Sequence, residues 1–120
     1  MKVAFSTSGE NLTAVFESRF GRAPGFLIFD LDTGAFEVVD NQEGLTAAQG
    51  AGVQAAETVV RSGAKSVVTG HCGPKAFRVL SAAGIRVFTT DAPTVATALE
   101  RYRAGQLAEV KSPDVDGHWI

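Results

Sequence analysis

Residues 70–74 read Gly-His-Cys-Gly-Pro and set the only cysteine of the chain beside one of its two histidines in one tight loop. A thiolate suits soft metals and metal–sulfur clusters, and an imidazole suits iron, copper or zinc. The flanking Gly70 and Gly73 let the backbone turn sharply and approach a ligand closely. Pro74 fits the first turn of a helix, where its missing N–H would be an orphan in any case, and a thiol beside a helix N-terminus is acidified. Cys72 and His71 are therefore the candidate metal ligands. Two alternatives stay open, because cysteine is also a common small buried hydrophobe and a loop histidine can spend its ring on a neighbouring carbonyl. A closed metal site takes four ligands, so one thiolate leaves most of the coordination to sulfide, backbone dipoles or a second chain. A homodimer that shares the ligand set stays open for the same reason.

The elements that must position this loop follow from the apolar pattern. Residues 66–69 (SVVT) form a short buried strand ahead of the loop, and residues 74–83 form a helix behind it with Ala76, Phe77, Leu80 and Ala83 as its inner stripe. Residues 1–6 (MKVAFS) make a first strand. Residues 26–31 and 35–40 flank Asp32-Thr33-Gly34 and read as a hairpin. A polar loop over 41–49 leads to a helix over 50–61, with Val53, Ala56, Val59 and Val60 on one face and Gly63 placed to end it. Residues 85–89 make a fifth strand, and Asp91 and Pro93 open a last helix whose stripe is Val95, Leu99 and Tyr102. Residues 10–25 read either as a meandering loop or as one poor helical turn, anchored by Leu12, Phe16 and Phe20, with breakers enough for a loop at the far end.

The fold class is α/β, a five-stranded mixed sheet of order 3-2-1-4-5 with strand two antiparallel and three helices. Residues 1–105 form the domain and 106–120 a polar C-terminal tail that carries His118. In this order Ser6, Asn41, Gly50, Gly52, Gly70 and Gly73 converge on one rim, beside the topological switch point where open sheets take ligands. Three helix N-termini point at that rim, and each favours an anion. Ser6, Asn41 and the four glycines are accordingly the candidate cofactor-binding residues.

Composition narrows the function. A net charge of −2 over 120 residues gives no basic face for nucleic acid. No apolar run reaches membrane-spanning length and the start has no signal-peptide pattern, so a cytoplasmic protein without membrane partners is expected. A lone cysteine excludes an intramolecular disulfide framework.

The segments ESRFGRAPGFLIFD, GAGVQAAE and SVVTGHCGPKAFRVLSAAGIRVF together resemble the dinitrogenase iron–molybdenum cofactor biosynthesis family, small nitrogenase accessory and cofactor carrier proteins. The resemblance implies a ribonuclease H-like sheet and an anionic metal–sulfur cluster, either the iron–molybdenum cofactor, its precursor or another molybdenum or iron cluster. It implies cluster-donating and cluster-receiving proteins as partners, and carriage rather than turnover. Two enzymatic alternatives stand beside it. A thiol-based redox or transfer enzyme would use Cys72, but no orienting acid accompanies the Cys–His pair. A metal-dependent nuclease needs clustered carboxylates, and the first strand, Lys2-Val3-Ala4-Phe5, has none.

Overall fold

The apolar run Val3-Ala4-Phe5 is buried on both faces, which is what a continuous β-branched and aromatic run predicts for a strand covered on two sides. Full burial of each such Val or Phe contributes roughly 1.5–3 kcal/mol. The computed structural model describes residues 1–42 and 50–112. The strand is β1 (Lys2–Thr7), followed by β2 (Gly25–Asp30), β3 (Phe36–Asp40), α1 (Ala51–Ser62), β4 (Ser66–Thr69), α2 (Pro74–Ala82), β5 (Arg86–Thr89), α3 (Val95–Arg103) and β6 (Ala108–Val110). What was expected of residues 43–49, and of His118 in the tail, falls outside the described residues.

The described strands form one sheet of order β3-β2-β1-β4-β5-β6. β2 is antiparallel to both β1 and β3, while β4 is parallel to β1 and β5 is parallel to β4. β1, β3, β4 and β5 therefore end on the same rim, as the sequence pattern predicts. The expected count of five strands is corrected to six. β6 pairs antiparallel with β5, Val87 opposite Val110 and Phe88 opposite Glu109. It is only three residues long, too short to show a period, and a side-chain clamp helps to hold it. Arg86 donates to both Glu109 oxygens, Nε at 3.1 Å and Nη2 at 2.7 Å.

Strand alternation divides the core in two. Ala4, Phe26, Ile28, Val67 and Val87 face α1 and α2, meeting Ala55, Ala56, Val59, Ala76, Phe77 and Leu80. Val3, Phe5, Leu27, Phe29 and Val68 face α3 and meet Val95, Ala98 and Leu99. The helix stripes are rotated slightly from the expected ones. Val60 is 38 % exposed, and Ala55 takes the inner place that the pattern assigned to Val60. Ala83 is the exposed C-cap of α2 rather than part of its inner face. Tyr102 is half-buried, edge-on to Phe88 at 5.3 Å, with its hydroxyl on Ser66 Oγ at 3.2 Å. Gly63 ends α1 at φ 84°, in the left-handed conformation its position demanded.

Two carboxylates, Asp30 on β2 and Glu109 on β6, give stability a pH dependence. The N–H of Asp32 donates to Asp30 Oδ1 at 2.8 Å and holds the Asp30 carboxyl below the usual range. The hydrogen bonds from Arg86 do the same for Glu109. A carboxyl lowered in the folded state stabilises fully above its unfolded pKa of about 4 and loses that contribution as pH falls through the lowered value. The expected outcome is a Tm that declines on acidification below about pH 5, with a shallower decline in Asp30→Asn and in Glu109→Gln. Thermal melts across the acid range that superpose for wild type and both variants would contradict this.

Candidate functional site

Residues 8–24 are irregular, yet their backbone groups have destinations, as buried polar groups require. Glu17 N–H donates to the Ser6 carbonyl at 3.0 Å, His71 N–H to Ser18 at 2.7 Å, and Phe20 N–H to His71 at 3.1 Å. The segment is thereby stitched across the ends of β1 and β4. Gly70 is required at this seam, since a Cβ there would lie 2.7 Å from Ser18 Cα and from its carbonyl oxygen. The same segment closes the start of α3. Val95 N–H donates to Ala14 at 3.1 Å and Ala96 N–H to Leu12 at 2.8 Å, while Thr97 N–H donates to Thr94 Oγ1 at 3.2 Å. The expectation of three open helix N-termini is thus corrected to two, because the loop's carbonyls already occupy the third.

The two that remain, α1 and α2, share a cavity of about 340 Å³. Its walls include Phe20, Gly21, Gly50, Gly52, Gly73 and Lys75. Neither helix has a side-chain cap and neither has an acid in its first turn. Helix geometry leaves the N–H groups of Ala51, Gly52 and Val53 and of Lys75 and Ala76 without intrahelical acceptors, and both dipoles are positive at these ends. Among the described residues no carboxylate lines the cavity, and the Lys75 ammonium adds charge of the favourable sign. Small residues set the close approach. A Cβ on Gly21 would lie 2.9 Å from Gly52 N, and one on Gly52 would lie 3.2 Å from Ala76 Cβ.

Of the residues singled out from sequence, Gly50, Gly52 and Gly73 line this cavity. Ser6, Asn41 and Gly70 are not among its lining residues. Ser6 is fully buried, donates to the Glu17 carbonyl at 2.6 Å and lies 3.0 Å from Thr69 Oγ1. Asn41 is buried and donates through Nδ2 to the Ala23 carbonyl at 2.8 Å and the Gly21 carbonyl at 3.4 Å, which fixes the cavity wall, while its Oδ1 has no hydrogen-bond partner among the described residues. Cys72 and His71 differ in exposure. Cys72 is 4 % exposed within the apolar cluster under α1 and α2, Sγ 3.7 Å from the Gly73 carbonyl, whereas His71 is exposed. Among the described residues no three His, Cys, Asp or Glu gather as a metal site. Arg22 is exposed and is not among the residues that line the cavity. Gly21 and Lys75 went unnoticed in the sequence. Gly21 lies in a loop with no periodicity, and nothing distinguishes Lys75 from a solvated helix lysine.

The profile of the dinitrogenase iron-molybdenum cofactor family matches residues 1–105. The apo form of the orange protein from Desulfovibrio gigas is 40 % identical and superposes with a TM-score of 0.90, over 94 % of this chain and 95 % of that one. The NMR structure of a NifB-type Thermotoga protein, assigned to the DUF35 family, is 30 % identical with a TM-score of 0.80, over 94 % and 97 %. An uncharacterised protein of Methanocaldococcus jannaschii is 24 % identical over 89 % of both chains.

The seam between Gly70 and Ser18 generates a test of the loop's role. Gly70→Ala forces backbone to move, so it should destabilise by about 1–3 kcal/mol, the usual range for overpacking. Thr94→Ala should lose about 1 kcal/mol as a missing cap without disturbing the cavity. Urea unfolding measures both, and a neutral Gly70→Ala would show that the seam is loose.

Proposed function

Because the chain belongs to the dinitrogenase iron-molybdenum cofactor family, we propose that it is a cytoplasmic carrier of an anionic iron–molybdenum-type or related metal–sulfur cluster, held between α1 and α2 and passed on to a partner protein. The observation that carries this reading is the pair of helix N-termini without side-chain caps that converge on one cavity, with no acid among its described lining residues. Backbone N–H groups and two dipoles favour an anion without any charged side chain. The volume falls at the small end of ligand pockets, roughly 300–1,000 Å³, and the walls are mostly apolar or glycine, which suits a soft, polarizable ion better than a strongly hydrated one.

Cys72 is not among the lining residues, so in this reading the cargo arrives with its metal coordination complete and the thiol serves the wall rather than the metal. That replaces the ligand role suggested by its place in the sequence. Holding by hydrogen bonds alone leaves no metal–protein bond to break on release, which suits a carrier. No catalytic residue is assigned. One antiparallel strand, β2, among the mutually parallel β3, β1, β4 and β5 supports a ribonuclease H-like assignment for the fold.

Titration with a thiomolybdate anion, followed by amide NMR, tests the proposal. Ala51, Gly52, Val53, Lys75 and Ala76 should shift, and Val95 to Thr97 should not. Lys75→Glu should weaken binding about three- to tenfold, the scale of one charge at a helix terminus. Cys72→Ala should lower Tm yet retain cargo per folded molecule, measured by metal content and visible absorbance. A folded Cys72→Ala that loses its cargo would restore the thiolate as a ligand and end this reading of the wall.

A further inference from the structure

β3 forms one edge of the sheet, and among the described residues no strand pairs with its outer side. The ladder with β2 fixes which groups face outward. Asp30 N–H donates to Ala35 at 2.8 Å and Asn41 N–H to Pro24 at 3.0 Å. With the register Ile28 opposite Glu37 and Phe26 opposite Val39, antiparallel alternation turns the backbone groups of Glu37 and Val39 inward and those of Phe36, Val38 and Asp40 outward. Edges are usually guarded by lysine, proline, a bulge or a covering element. Phe-Glu-Val-Val-Asp has neither lysine nor proline, and Phe36 is 41 % exposed.

A cleft of about 580 Å³ runs from this edge to the rim, with Ser8, Glu10, Gly25, Phe36, Glu37 and Asp40 among its walls. Glu10, Glu37 and Asp40 are exposed, and no lysine or arginine is among the described residues that line the cleft. We propose that β3 and this cleft take an extended, lysine- or arginine-bearing segment of another protein by strand addition. The outward N–H and C=O groups of Phe36, Val38 and Asp40 would supply the pairing, and the three carboxylates would select for positive charge.

Two other occupants are disfavoured by charge. A second copy paired about Val38 would bring its Glu37 diagonally against the first Glu37, and like charges at such positions repel. The chain's own residues 113–120 carry Asp114 and Asp116 with no lysine or arginine. This inference does not depend on what the α1–α2 cavity holds, since the two sites share no lining residue.

The test uses the whole chain and an end-capped hexapeptide of alternating valine and lysine. Binding should slow hydrogen exchange at the Phe36, Val38 and Asp40 amides and shift signals around Ser8 to Glu10. A peptide N-methylated on alternate residues should fail, as should one with glutamate in place of lysine. The double variant Glu37→Lys, Asp40→Lys should weaken binding roughly tenfold, as expected for losing two exposed ion pairs. Equal binding of the glutamate or N-methylated peptide, or shifts confined to other surfaces, would overturn the proposal. So would outward amides already protected in the free protein, whether or not its mass doubles with concentration.

Discussion

Every backbone donor and acceptor taken from water needs a partner, and that requirement decides where this protein can bind anything. Residues 8–24 have no ladder of their own, so they bond to the ends of β1 and β4 and to the first turn of α3. By doing so they use up one helix N-terminus and leave two. What is open at the rim is thus set by a loop that never enters the cavity except through Phe20 and Gly21. Asn41 extends the same arrangement, holding the Gly21 and Ala23 carbonyls from behind.

Much of the fold was legible because burial on both faces writes itself as unbroken apolar runs, as in Val3-Ala4-Phe5 and Val67-Val68. The strand order followed from connection length and handedness. β6 escaped because Ala-Glu-Val is too short for a period, and its anchor, Glu109 on Arg86, is a long-range pairing. The helix faces came out slightly rotated, since Ala55 and Val60 differ more in where α1 packs than in hydropathy.

The candidate site was only partly legible, and the reason is chemical. Sequence inspection favours residues with reactive side chains, which drew attention to His71 and Cys72. The rim instead presents main-chain amides, whose availability depends on what else has bonded to them. Gly50, Gly52 and Gly73 were recognisable as turn residues. That Gly21 presses on Gly52, or that Thr94 and the Leu12 and Ala14 carbonyls close α3, depends on contacts no local pattern records.

The sheet order also constrains how the chain comes together. β1 is central, but its two neighbours are made at very different times: β2 follows within one loop, whereas β4 must return over a long stretch, with Ser6 and Thr69 separated by 63 positions. An emerging chain can therefore form the β1–β2–β3 meander early, with one edge of β1 still bare and both apolar faces uncovered. Closing that edge carries the ring-closure entropy of a long loop, and the non-local pairing slows folding while strand edges stay exposed to other chains. The buried contact between the Ser6 and Thr69 hydroxyls lies across that last-closing seam, where a one-residue slip would strand both polar groups in an apolar interior. Registration of the late-arriving half is thus proofread by two small side chains at the heart of the molecule.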